Sequence, residues 1–282
     1  MAVKSEKKFG PKYSIVIPAY NESARLPSTL VSVTSCIHRR GWDAEIIVVD
    51  DGSTDGTADM VRKFAANTPG VQSIEERLIG DRPTQPATNG PRLIDLRLLE
   101  NPGNRGKGYS VRAGMLAARG EVVLFTDADL SAPIEEAERL FEAIRQGADI
   151  AIGSRWLQSD RQTQRQPIYR QFFGRCFNAV TRAVMNLPFA DTQAGLKAFS
   201  RGAAQTVFQL QTIEHWGFDP EILFIAIKHG FWVIEVPVAW GHDERTRMSY
   251  LKDGFKMLEE LAIIRWNAFR GRYDKPGETA KR

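Results

Sequence analysis

Short apolar, β-branched runs alternate along the first half of the chain with stretches whose apolar positions recur every three or four residues. Residues 13–17 (YSIVI) form the first run, which stops at Pro18. Leu26, Leu30, Val33 and Ile37 follow at spacings of 4, 3 and 4, one face of a helix. Residues 44–50 (AEIIVVD) are apolar at consecutive positions, as expected for a parallel strand covered on both faces. A Gly/Ser/Thr/Asp turn and a helix near residues 58–66 come next. A strand at 96–100, a helix at 108–118 and a strand at 121–126 (EVVLFT) continue the rhythm. Ser131 can cap a following helix, whose first turn would hold Glu135 and Glu136 against the positive end of its dipole. Residues 148–153 (ADIAIG) make a fifth strand. Repeated βα units of this length predict an α/β fold with an open, mostly parallel sheet and helices on both faces.

Two stretches break the rhythm. Residues 68–91 are polar and carry four prolines and three glycines, which predicts an exposed loop. Beyond Arg155 the pattern changes to a helical Arg/aromatic stretch over 168–185, short strands near 196–199 and 232–238, and a final helix. In that last helix Leu251, Phe255, Leu258, Ala262, Trp266 and Phe269 form an apolar stripe, with Lys252, Lys256, Arg265 and Arg270 between them. Such a stripe most often packs into a core or an oligomer contact, which leaves a homodimer open. A basic amphipathic helix can also lie on an anionic membrane.

Composition narrows the class. The 282 residues are 43% hydrophobic and 26% charged, close to the globular average of about 25% charged. Two cysteines, Cys36 and Cys176, exclude a disulfide scaffold and a Cys-built zinc site, and fit a reducing cytoplasmic compartment. The N-terminal MAVKSEKKFG lacks the apolar region of a signal peptide. No run approaches the roughly 18 uncharged apolar residues of a spanning helix, so the sequence reads as soluble or attached to one membrane face.

The net charge of +4 is unevenly spread. Residues 155–201 carry eight basic against two acidic side chains, and residues 244–282 carry ten against six, so the remainder is acidic. An acidic body with a basic second half suggests an anionic partner met at one place. Zinc-finger, RNP and basic-zipper signatures are absent, which argues against nucleic acid.

Ligands of open α/β sheets bind outside the carboxyl ends of the strands. Those ends read Pro18-Ala-Tyr-Asn-Glu22, Asp50-Asp51-Gly52-Ser53 and Asp127-Ala-Asp129. Carboxylates gathered this way repel one another unless a cation joins them. Asp127 and Asp129, two apart in extended chain, point to one side and offer hard oxygens suited to Mg²⁺ or Mn²⁺ with a diphosphate. Residues 101–108 (NPGNRGKG) lack the Gly-Lys-Ser/Thr ending of a Walker A loop and the spacing of GxGxxG. A glycine-flanked Lys107 can still approach a phosphate or a base closely.

IPAYNE, VVDDGSTDGT, NPGNRGKGYSVRAGM, LFTDADLSAP and GSR together resemble the family-2 glycosyltransferases of the GT-A fold. DTQAGLKAFSR and HWGFDPEIL look like the branch that transfers sugar to polyprenyl phosphate, closest to the dolichyl-phosphate β-glucosyltransferases. The resemblance implies a Rossmann-like nucleotide-sugar-binding domain over residues 13–243, with a nucleotide-binding half at 13–130 and an acceptor half at 131–243. A flexible N-terminus (1–12) and a C-terminal basic amphipathic helix and tail (244–282) flank it. It further implies that Pro18, Ala19, Tyr20, Glu22 and Ala128 line the nucleotide-sugar pocket, with Asp51 on the base or ribose and Lys107 nearby. Asp127 and Asp129 would hold the cation, and Ser131 occupies a position where relatives can have a metal-binding amide. Arg155, Arg170 and Arg245 or Arg247 would meet the acceptor phosphate, although Arg247-Met-Ser-Tyr250 departs from the Gly-x-Ser-Lys pattern of related mannosyltransferases.

The reaction so implied moves a hexose, glucose by resemblance, from a UDP-sugar to polyprenyl or dolichyl phosphate with inversion at the anomeric carbon. A cytoplasmic protein would reach that lipid by peripheral attachment at the cytoplasmic membrane face, through a membrane partner, or through a membrane segment outside this sequence. An acceptor hydroxyl would instead need a base. Asp219 and Glu221 in FDPE lie where other family-2 enzymes place a catalytic acid, and Asp191 is a second candidate. With a lipid phosphate, Asp219 and Asp191 read as loop anchors or partners of Arg. A non-catalytic nucleotide-sugar-binding protein is the reading from another class, and retention of both Asp127 and Asp129 argues against it.

Overall fold

The computed structural model describes residues 10–74, 93–157, 168–241 and 250–274. Eight strands form one sheet: β1 (Tyr13–Ala19), β2 (Ala44–Asp50), β3 (Val71–Ile74), β4 (Ile94–Glu100), β5 (Val122–Thr126), β6 (Ile150–Ser154), β7 (Leu196–Ser200) and β8 (Val233–Pro237). Their spatial order is β3-β4-β2-β1-β5-β7-β6-β8. Every neighbouring pair is parallel except β5–β7 and β6–β7, so β7 alone runs backwards.

The consecutive apolar runs are explained by burial on two faces. All seven residues of β1 and of β2 are buried. Ile15, Ile17, Ile46 and Val48 pack with Leu26, Leu30, Val61, Leu140 and Phe141 on one side. Val16, Ile47 and Val49 pack with Val111, Phe208, Ile222 and Leu261 on the other. The first face is covered by α1 (Leu26–Arg40), α2 (Thr57–Asn67) and α4 (Ala137–Arg145). The second is covered by α3 (Lys107–Ala117), α6 (Arg201–Leu210), α7 (Phe218–Lys228) and α8 (Tyr250–Phe269). The remaining helix, α5 (Ile168–Met185), packs against α7 and α8.

Several sequence expectations change. The polar stretch at 68–91 contains β3, paired in parallel with β4; residues 75–91 lie outside the described residues. Ser131 caps no helix, because a 3-10 turn (Ile134–Glu136) after Pro133 leads into α4 instead. The backbone carbonyl of Ser131 accepts from Gly241 N (2.7 Å), which ties this loop to the chain beyond β8. The α8 stripe does not face the core: Leu258, Ala262, Trp266 and Phe269 are exposed, whereas Met257, Glu260, Leu261 and Ile264 are buried. Leu251 and Phe255 fall among positions whose side chains lie outside the described residues. No helix among the described residues is long and apolar enough to cross a membrane.

Candidate active site

The loops leaving β1, β2 and β4 converge and are laced together by hydrogen bonds. Asn21 N donates to Ser53 Oγ (2.8 Å), Glu22 N to Thr57 Oγ1 (2.9 Å) and Ser23 N to Asp55 Oδ2 (3.0 Å). Thr57 also donates to Asp55 through N and Oγ1. Burial works to raise the Asp55 carboxyl, but these bonds hold it at about 2. Gly52 has φ +70°, and a Cβ there would meet the Gly103 backbone at 2.4 Å, so the β2 and β4 loops touch through glycine.

Pro18 and Ala19 close β1 in buried positions, and Tyr20 is exposed beside them. The Glu22 carboxylate is held by Arg25, with Nη2 at 2.5 Å and Nε at 2.8 Å. Asp51 is buried and already occupied in part: it accepts from Asn101 Nδ2 (2.8 Å), Arg105 N (3.0 Å) and Gly106 N (2.8 Å). Its carboxylate therefore shapes the 101–106 loop that delivers Lys107.

Asp127 and Asp129 stand at the carboxyl end of β5, with buried Ala128 between them. Lys107 Nζ lies 2.5 Å from Asp127 Oδ1 and 5.3 Å from the centre of the Trp216 ring. Burial would lower the Lys107 pKa; Asp127 and Asp219 raise it above its ordinary value. Asp129 accepts from Ser131 N (2.9 Å), and burial followed by the charge of Asp127 pushes its carboxyl up. A Cβ at position 195 would sit 2.0 Å from Asp127 Oδ2, so Gly195 on the incoming β7 loop is what lets that carboxylate occupy its place.

These residues fit a divalent cation. Two carboxylates two residues apart offer hard oxygen donors, and Asp129, pushed up by burial and then by the charge of Asp127, would be relieved by a cation beside the one lysine that already contacts Asp127. No group of three or more His, Cys, Asp or Glu occurs among the described residues, so the rest of a coordination shell would fall to substrate and water.

The two remaining acid candidates are paired with cations. Asp191, almost fully buried, receives a two-pronged contact from Arg155, Nε and Nη2 each at 2.7 Å. Burial works to raise Asp191, but Arg155 holds it below its ordinary value. Glu235 Oε1 accepts from Asp191 N (2.9 Å) and fixes the loop. Trp240 and Trp156 flank the Arg155 guanidinium, with ring centres at 4.9 and 5.6 Å. Asp219 contacts the fully buried Lys197 Nζ, which also donates to Ala194 O (2.5 Å). Burial pushes the Asp219 carboxyl up, against the pull of Lys197 and Lys107. Glu221 is spent in the core, where it accepts from Thr212 N, Thr212 Oγ1, Ile213 N and Tyr273 Oη.

The structure thus brings Lys107, Asp127 and Asp129 together, and sets Asp219 and Arg155 in their electrostatic surroundings. Arg170 belongs to α5, with its side chain outside the described residues; Arg245 and Arg247 lie outside them altogether. Sequence reasoning missed Lys197, Gly195, Glu235, Trp156 and Trp240. A lysine in the apolar β7 run LKAFS was the one visible signal among them.

The glycosyl transferase family 2 model matches residues 14–77 and 87–208. A dolichyl-phosphate beta-glucosyltransferase of Trichomonas vaginalis is 35% identical over 89% of this chain and 70% of its own length. That of Saccharomyces cerevisiae is 31% identical over 92% of this chain and 76% of its own. Among solved structures, a mannosyltransferase from Pyrobaculum calidifontis bound to GDP-Man and Mn²⁺ superposes with a TM-score of 0.58 at 20% identity. It covers 93% of this chain and 65% of that one. Glucosyl-3-phosphoglycerate synthase from Mycobacterium tuberculosis, bound to Mn²⁺, UDP and its product, gives 0.57 at 18% identity over 95% and 82%. Both share the GT-A fold anticipated from the motifs.

Proposed function

The chain belongs to glycosyl transferase family 2, and we propose that this enzyme moves glucose from a UDP-sugar to dolichyl or another polyprenyl phosphate, with inversion. The observation that carries the acceptor choice is the commitment of Asp191 and Asp219 to the cations Arg155 and Lys197. A hydroxyl acceptor needs a base poised to take its proton. A phosphate monoester has a second pKa of about 6 and is largely deprotonated at neutral pH, so it needs none. The activity named for the curated relatives points the same way. UDP as the donor nucleotide rests on the branch resemblance, since the structural neighbours include one bound to GDP-Man and one bound to UDP.

In this reading Pro18, Ala19, Tyr20, Glu22, Asp51 and Ala128 surround the donor. Asp127 and Asp129 would hold Mg²⁺ or Mn²⁺, which as a Lewis acid would offset charge on the leaving diphosphate. Lys107, half-buried beside Asp127, adds fixed positive charge at the same place. Arg155, oriented by the Asp191 carboxylate on its Nε and Nη2, is assigned with Arg170, Arg245 and Arg247 to the acceptor phosphate, which suits charge-assisted hydrogen bonds from guanidinium groups. A phosphate oxygen attacks the anomeric carbon opposite the leaving UDP: one C–O bond forms as another breaks, turning an α-linked donor into a β-linked product.

Asp127→Ala and Asp129→Ala are expected to abolish transfer while leaving the circular dichroism spectrum unchanged. The direct assay presents a short polyprenyl phosphate, a glycan hydroxyl acceptor, and UDP- and GDP-sugars, each with Mn²⁺, Mg²⁺ or EDTA. Full activity in EDTA would remove the metal from the reading. Faster transfer to the hydroxyl acceptor would overturn the lipid phosphate.

A further inference from the structure

Two helices of this protein carry the same apolar periodicity and use it in opposite ways. On α1, Leu26, Leu30, Val33 and Ile37 are all buried against the sheet. On α8, Leu258, Ala262, Trp266 and Phe269 repeat at spacings of 4, 4 and 3 and all face outward, with Ile263 beside them. At 3.6 residues per turn they lie opposite Met257, Glu260, Leu261 and Ile264, which supply the helix's buried side. Trp266 is 59% and Phe269 70% exposed, and their rings stack on each other at 5.9 Å. The neighbouring α5 exposes Val180 and Val184, one turn apart.

The charges beside this stripe select its occupant. Among the described side chains of the same stretch, Lys256, Arg265, Arg270 and Arg272 are exposed against one exposed acid, Glu259, a balance of +3. A second copy docking through this face would set +3 against +3. An anionic lipid surface would meet the arginines with phosphates and take the aromatic rings at headgroup depth. We propose that the outward face of α8, centred on Trp266 and Phe269, docks the enzyme on anionic membrane. The inference goes beyond the acceptor assignment and can be tested without any polyprenyl phosphate.

The inward side of α8 gives the docking a bearing on the active site. Glu260 Oε2 accepts from Gly217 N (2.7 Å) at the start of α7. In the same loop Glu214 O accepts from Tyr109 N (3.0 Å), and Trp216 lies over Lys107. A bilayer held by α8 is therefore two contacts from the lysine beside Asp127.

The test is sedimentation of the full chain with vesicles of phosphatidylcholine alone or of phosphatidylcholine with phosphatidylglycerol, both free of polyprenyl phosphate. Binding is expected only to the anionic vesicles, with a blue shift of Trp fluorescence, and is weakened by salt. Trp266→Ser/Phe269→Ser is expected to weaken it at least about tenfold. Arg265→Gln/Arg270→Gln should remove most of its salt dependence with the fluorescence shift reduced but present. Both variants change exposed side chains and should keep transfer to a detergent-dispersed acceptor. Equal vesicle binding by wild type and the Trp266/Phe269 variant, or no binding at all, would overturn the proposal. So would a dimer in sedimentation equilibrium that this variant dissociates. Failure of the wild type to transfer to a detergent-dispersed polyprenyl phosphate, with vesicle binding intact, would instead count against the acceptor assignment alone.

Discussion

Lys197 is the cation that pairs with Asp219. It is wholly buried on β7, between the carbonyl of Ala194 and the carboxylate of Asp219, with the Phe125 ring 5.4 Å away. Removing one partner of a buried ion pair leaves the other as an uncompensated charge, at a cost of about 3–5 kcal/mol. Lys197→Met is therefore expected to destabilise the fold by that order, measured by urea unfolding. Lys197→Met/Asp219→Asn should recover part of the loss. Single residues were also where the sequence was least informative. Asp127 and Asp129 announced themselves by type and by standing at a strand end. Nothing local showed that Lys107 would touch Asp127 or that Lys197 would neutralise Asp219, because both contacts join residues 20 or more apart. Asp191 and Asp219 could be named as anchors or as bases from sequence; only the positions of Arg155 and Lys197 separate those roles.

At the scale of elements, the loops leaving β1 and β2 are laced together because side chains from one cap the backbone of the other. Asp55 joins the β1–α1 and β2–α2 loops, and its pKa of about 2 lies below the ordinary carboxylate value. A depressed folded-state value means that Asp55 stabilises the fold above about pH 4 and loses that contribution as the pH falls towards 2. Asp55→Asn should therefore show a smaller drop in urea midpoint than wild type across that window. Elements themselves were legible where a strand or helix carried its own period: β1, β2, β5 and α1 follow directly from theirs. β3 escaped because four residues, half of them polar, look like loop until β4 pairs with them. α7 escaped because it is buried nearly all round, which leaves an apolar run with no polar face to mark a helical period. On α8 the period was visible, but periodicity identifies a stripe without saying which way it points.

Across the whole molecule, two cores lie on opposite faces of one sheet, and the end of the described chain is tied into the second core. Tyr273 is buried, and its hydroxyl donates to Glu221 Oε1 (2.6 Å) beside contacts with Thr212 and Asn267. Burial and the charge of Glu221 raise the Tyr273 pKa, so the phenol stays protonated and donating. Tyr273→Phe leaves Glu221 one donor short in a buried place, and a loss of about 1–3 kcal/mol is expected in denaturant unfolding. The uneven charge was readable as a number along the sequence; its meaning required knowing that the chain turns back on itself at β7. In a sheet whose strands all point one way, the catalytic edge can use only residues on their way out. Here Leu196 pairs with Thr126 head to tail, so the chain arrives at that edge just where β5 leaves it. The edge is thus built by two directions of travel, and the arriving stretch supplies what a departing one would have carried to the far side: Asp191 for Arg155, Gly195 for Asp127, and Lys197 for Asp219.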